Sequence, residues 1–233
     1  MLHKLNECGT SASAIYRQGL GEFFLDDLRR NEAAYIAPAK EVEARLVAIL
    51  QDNRQAVSLH HRPYSVVSYA WGQKYQQLNQ WVIETLAFAM APYAKSRSAA
   101  QDWLQRQGYV PAELRIGTLT RLGGRVSAAN VAFDDHPPAK RFTDRIQTVT
   151  ADSVFEWMQH AGLGNDVSTF QLEPETISKA CCRYRPGISR SRARSYPVTS
   201  ARAALACQLT RAYGRASGRT AVISRVEVRS GLP

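Results

Sequence analysis

Apolar positions recur at helical intervals through most of the first half of the chain. Residues 1–10 read as a loose start. Over residues 11–30, Ile15, Leu20, Phe23, Phe24 and Leu28 keep a roughly helical spacing, weakened by Gly19 and Gly21. Pro38 suits the first turn of a second helix. Val42, Leu46, Ile49 and Leu50 share one face of that helix, and Glu41 and Arg45 stand four apart as a supporting pair. Residues 53–63 form a turn-rich connection containing His60 and His61. The segment 64–91 reads as a long helix with Tyr75, Leu78, Val82, Leu86 and Met90 in register, and Pro92 closes or kinks it. The aromatic residues along it, Trp71 and Trp81 included, belong to a core. Ser96 caps a further helix through Gln107, which Gly108 ends.

After that point the period shortens. Leu114, Ile116 and Leu119, then Val126 and residues 131–133, alternate as strands, with Gly123-Gly124 as a hairpin tip. Asp134, Asp135, His136, Pro137 and Pro138 make a rigid turn. A strand follows over 146–149, a helix from Asp152 through His160, and a strand over 167–172. A helix to about Tyr213 begins at Thr199 or Ser200, and a strand runs over 220–228. The fold class expected is α+β: a mainly helical region over 1–110, and an α+β nucleic-acid-binding region over 111–233 with a small sheet and a basic loop at 183–196.

Composition supports a folded body. The chain of 233 residues is 45% hydrophobic and holds ten tyrosines. The best membrane candidate, 81–91, is short and interrupted by Glu84 and Thr85, and residues 1–4 lead into polar sequence with no apolar leader segment. No membrane partner is expected, and a cytoplasmic location is. Cys8, Cys181, Cys182 and Cys207 fit no disulfide framework and lack the paired spacing of common zinc modules, so inert thiols are the reading for them. Neither a phosphate-binding GxxxxGK[ST] loop nor a GxGxxG turn occurs, so no cofactor is expected.

Charge changes the picture most. Residues 1–174 hold eighteen basic and eighteen acidic residues, whereas 175–233 hold twelve basic and two acidic ones. Residues 176–226 contain no Asp or Glu. A neutral body with a basic end points to a polyanion. Arg183, Arg185, Arg190, Arg192 and Arg194 form an arginine-rich loop, and Arg202, Arg211, Arg215 and Arg219 follow it. Guanidinium groups grip phosphates bidentately, and Tyr184 and Tyr196 flank the cluster as stacking groups for unpaired bases.

A second stretch carries a family resemblance. Residues 96–107 run Ser-Arg-Ser-Ala-Ala-Gln-Asp-Trp-Leu-Gln-Arg-Gln, followed by Gly108, Pro111-Ala112 and the arginines around Gly123-Gly124. This order resembles the small winged helix-turn-helix of phage excisionases and AlpA-like regulators over about residues 96–126. The resemblance implies that Arg97, Ser98, Gln101 and Arg106 face DNA and that Arg121 and Arg125 sit on the wing.

The function expected is therefore non-enzymatic nucleic-acid binding, DNA in a mobile element, plasmid or phage being the first reading. A ribonucleoprotein subunit, such as one in an RNA-guided CRISPR-type defence complex, is the alternative; the N-terminal helices would then bind other subunits. A metal-dependent nuclease built on Asp134, Asp135 and His136 is a further one. His60-His61 as an acid–base pair, and a thiol nucleophile among the cysteines, complete the chemistry considered.

Overall fold

The computed structural model describes residues 2–7, 9–17, 32–141, 143–171 and 222–224. The chain is a mixed α and β fold. Its elements in order are β1 (Leu2–Asn6), β2 (Ser13–Arg17), β3 (Glu32–Ile36), α1 (Lys40–Gln51), α2 (Asn53–Ala56), α3 (Leu78–Met90), α4 (Arg97–Arg106), β4 (Ala112–Arg115), α5 (Thr118–Ser127), α6 (Pro138–Arg141), β5 (Arg145–Thr148), α7 (Ala151–His160), β6 (Ser168–Gln171) and β7 (Val222–Ser224). Among the described residues these strands form three small antiparallel sheets: β1 with β2, β4 with β5, and a three-stranded sheet ordered β6-β3-β7.

The amphipathic helices form where their spacing places them. Val42, Leu46 and Ile49 of α1 are buried, and Arg45 meets Glu41 at 2.8 Å on the outer face. Ser96 caps α4 by accepting the Ala99 amide at 3.2 Å, and Gly108 closes it at φ +73°. Only glycine adopts that conformation without strain. Replacing Ser96 by Ala leaves the first turn of α4 one acceptor short. A loss of about 1 kcal/mol is expected in urea unfolding, and a loss below about 0.3 kcal/mol would mean that water caps the turn equally well.

Helix α3 is the central element. It buries Trp81, Ile83, Leu86, Ala87 and Ala89, and with them the polar Gln80 and Glu84. Around it pack Ile36, Leu46, Leu104, Val149, Phe155 and Met158, so the core draws on both ends of the described chain. Edge-to-face aromatic contacts run from Trp71 to Tyr109 (5.8 Å between centroids), from Tyr109 to Trp157 (5.8 Å) and on to Trp103 (6.1 Å). Such pairs add about 0.5–1.5 kcal/mol each beyond their buried area. The Tyr109 hydroxyl and Ser153 Oγ bond at 2.8 Å, and the Trp157 indole donates to the Gln107 carbonyl at 3.1 Å.

Three expectations are corrected. The helix expected over 64–91 begins only at Leu78, because side chains claim the backbone of the preceding loop. Gln80 Nε2 donates to the Tyr69 and Ala70 carbonyls, Thr148 Oγ1 to that of Ser68, and Asp135 accepts the Tyr69 amide. Those groups cannot also join a helical ladder. The loose start and first helix are instead the β1–β2 hairpin over their described part, with His3 opposite Tyr16 and Leu5 opposite Ala14; residues 18–31 lie outside the described residues. The Gly-Gly hairpin tip is the interior of α5, and β4 pairs with β5 rather than with the segment after it. Gly124 is tolerated in α5 because its face meets Val131, where a Cβ would lie 3.2 Å from Cγ1. The helix expected near 199–213 lies outside the described residues, while β7 falls inside the strand expected over 220–228.

Candidate nucleic-acid interface

The described strands that precede and follow the basic stretch in the chain belong to one sheet. β6 runs beside β3 with Gln171 opposite Glu32, and β7 runs along the other edge with Val222 opposite Ile36. Arg183, Arg185, Arg190, Arg192, Arg194, Arg202, Arg211, Arg215, Arg219, Tyr184 and Tyr196 all lie between β6 and β7 in sequence, outside the described residues.

The body that carries it has many of its charges matched. Arg45 meets Glu41, Lys74 meets Asp134, Arg62 stands 3.6 Å from Glu7, and Glu113 takes both Arg145 (2.7 Å) and Lys140 (3.6 Å). The helix read as a DNA-facing element is part of the same internal matching. Arg97 is 8% exposed and Gln101 4%. The Arg97 guanidinium bonds Glu84 through Nε at 2.9 Å and Nη2 at 3.3 Å, and donates to the Gly72, Gln73 and Tyr75 carbonyls at 2.9–3.1 Å. Gln101 donates at 2.7 Å to Glu84 Oε1, the oxygen that Arg97 Nη2 also bonds. Ser98 and Arg106 are exposed, with Arg106 Nε turned back to the Asp102 carbonyl at 3.2 Å. Arg121 is buried, donates to the Ile116 carbonyl at 3.0 Å, and lies over the Phe133 ring. Arg125 sits in α5, a helix rather than a wing. The six residues thus form no common outward face: Arg97, Gln101 and Arg121 point into the body.

Sequence reasoning missed what Arg97 and Gln101 do. Glu84 sits wholly buried at the middle of α3, where it accepts from Arg97, Gln101 and Gln76. Burial pushes its carboxyl above the ordinary range, and the Arg97 charge and the three sets of hydrogen bonds act against that shift. Lys4, from β1, completes the network by donating to Gln76 Oε1 (2.6 Å) and the His61 carbonyl (2.7 Å). The signal available was Glu84 as the single charged residue of a mostly apolar helix, since a buried charge demands a partner.

The aspartate and histidine chemistry considered is committed structurally, while Cys8, Cys181, Cys182 and Cys207 lie outside the described residues. Asp135 accepts from the Tyr69 amide at 2.8 Å with one oxygen and meets His136 Nδ1 at 3.0 Å with the other; both side chains are almost fully buried. Among the described residues no three of His, Cys, Asp and Glu stand together as a metal set. Burial lowers His60 to about 4 and also lowers His61, so both are neutral at pH 7. The His61 ring contacts the Lys74 carbonyl at 3.1 Å. Among the described residues no helix is long and apolar enough to cross a membrane.

Comparison with known proteins supplies a family and one correction. The model of a bacterial family, described as an uncharacterized protein conserved in bacteria (DUF2145), matches residues 1–158. That match spans the whole of 96–126, and no helix-turn-helix or excisionase family is found there, which together with the buried Arg97 and Gln101 overturns the winged-helix resemblance. No curated protein and no solved structure matches the chain.

Proposed function

The chain belongs to the bacterial family DUF2145 through residues 1–158, and we propose that its basic end, which lies beyond them, makes it a non-enzymatic nucleic-acid-binding protein. The observation that carries this reading is the segregation of charge: the excess of ten positive charges lies in 175–233, on a body of no net charge. A uniformly basic surface serves solubility; a neutral carrier with one cationic segment presents a local grip for polyphosphate. The internal pairing of Arg97 and of Lys74 supports assigning the grip to 183–219 rather than to the body. Tyr184 and Tyr196 beside the arginines suit unpaired bases. The site of action in this reading is the cytoplasm, where chromosomal, plasmid and messenger polyphosphates are found.

The test is binding of fluorescent oligonucleotides, duplex DNA and single-stranded RNA, across a salt series. Engagement of about six phosphates gives a log–log slope of roughly −5 on duplex. Replacing Arg190, Arg192 and Arg194 by Ala should weaken binding at low salt by at least tenfold and flatten that slope by about 2 to 3. Unchanged affinity and slope would remove the arginine segment from the interface. Preference for single-stranded RNA over duplex would favour the ribonucleoprotein reading, the reverse a free-standing DNA binder.

A further inference from the structure

Helix α7 and the segment from Gln107 to Leu114 enclose a cleft of about 670 Å³. Asp152, Glu156 and His160 line one wall. They are four residues apart on α7, so they form a single row with steps of about 6 Å. The opposite wall is apolar: Val110 is 74% exposed and Leu114 37%. Among the described residues no Lys or Arg lines the cleft. Glu41, Glu84, Glu113 and Asp134 all hold cations, yet among the described residues neither Asp152 nor Glu156 has an ion-pair partner.

We infer that this cleft is a docking surface for the chain's own arginine segment, Arg190, Arg192 and Arg194, and so competes with the polyanion for it. Three observations support that occupant. Arginine alternates with Ser191 and Ala193, so an extended backbone places the three guanidinium groups on one face at intervals of roughly 6.6 Å, close to the step of the carboxylate row. Ile188 and Tyr196 fall on the same face and supply apolar groups for the wall of Val110 and Leu114. The segment is also tethered within reach. The turn after α7 bonds directly to the chain following β3, Leu163 accepting from Ala39 and Asn165 donating to Ala37, both at 2.9 Å, and β7 pairs at that same end of β3. From Gln171 to Arg190 the chain spans at most roughly 60 Å, more than the width of the body. Tethering raises the local concentration of the segment to the order of millimolar, so weak charge pairs suffice to hold it. Nucleic acid then binds by displacing the arginines from the cleft, a consequence that rests on the polyanion reading above.

A labelled synthetic peptide of residues 186–196 tests the docking without nucleic acid. It should bind the full chain carrying Arg190→Ala, Arg192→Ala and Arg194→Ala at least several-fold more tightly than it binds the unaltered chain, whose cleft is occupied in cis. Adding Asp152→Asn and Glu156→Gln should weaken that binding by about tenfold. Equal binding to both chains, or binding that survives loss of the carboxylates, overturns the proposal. Tight binding of a simple polyamine in place of the peptide, at the same carboxylates, would reassign the cleft to a free organic cation and overturn it too. A parallel arm measures oligonucleotide binding to Asp152→Asn/Glu156→Gln in the otherwise unaltered chain, where affinity should rise several-fold. If the peptide behaves as expected but no chain binds oligonucleotide, the polyanion reading fails and the docking stands.

Discussion

Replacing Arg97 by Ala is expected to destabilise the protein by about 3–5 kcal/mol, the cost of stranding a buried partner charge. Arg97 supplies two of the hydrogen bonds to Glu84 and closes three loop carbonyls, those of Gly72, Gln73 and Tyr75. Removing it leaves a carboxylate with no exposure whatever and only neutral amides for partners. Arg97→Lys should recover little, since one ammonium cannot span a carboxylate and carbonyls lying in the plane of the guanidinium fork. Glu84→Gln combined with Arg97→Met should cost less than the two single losses added together, because the pair is removed rather than broken. Urea unfolding reads all five variants, the two single losses included, against the unaltered chain: the midpoint falls while the slope holds. An exposed DNA-contacting arginine would instead change stability by no more than about 0.5 kcal/mol, so a small effect of Arg97→Ala would contradict the buried geometry directly.

The same residues mark how far the sequence can be read. Helices α1 and α4 were legible because their apolar stripes, their charge pair and the Ser96 cap are all local features. Strands β4, β5 and β6 fell where alternation placed them, but the pairing of β3 with β6 and β7 joins segments far apart in the chain and carries no local mark. The loop before α3 has the apolar content of a helix; what prevents the helix is a set of distant donors and acceptors, Gln80, Arg97, Asp135 and Thr148. Arg97 was misread for a related reason. A Ser-Arg-Ser helix start resembles a DNA-reading helix, and only the position of Glu84 one helix away turns that arginine inward. In the cleft, the row of Asp152, Glu156 and His160 was present in the sequence as a four-residue spacing, while the apolar wall facing it required the fold. The charge segregation of the chain needed no structure at all.

Stability is expected to rise with pH between 7 and 9 by about 2 kcal/mol, and Lys4 is the reason. This lysine is 1% exposed, and burial lowers its pKa to about 7, the nearby Arg97 charge adding to the effect and Glu84 opposing it. In the unfolded chain the amine titrates near its ordinary value of about 10.4. Between the two values the unfolded chain holds a proton that the folded one has released, so raising the pH favours the folded form by up to about 1.4 kcal/mol per pH unit. Below pH 7 both forms are protonated and the cost of burying the charge is carried in full. His60, lowered to about 4, acts with the same sign in an acidic window, between its folded value and about 6.5. The two windows do not overlap, so their contributions separate along one titration. Lys4→Met should flatten the curve above pH 7 and leave the acidic limb in place, whatever its effect on stability at a single pH. Urea unfolding of both chains at half-unit steps from pH 5 to 9.5 decides the matter. A flat wild-type curve above pH 7 would mean that Lys4 keeps its proton through the Gln76 and His61 acceptors; a slope that persists in Lys4→Met would place the titrating group elsewhere.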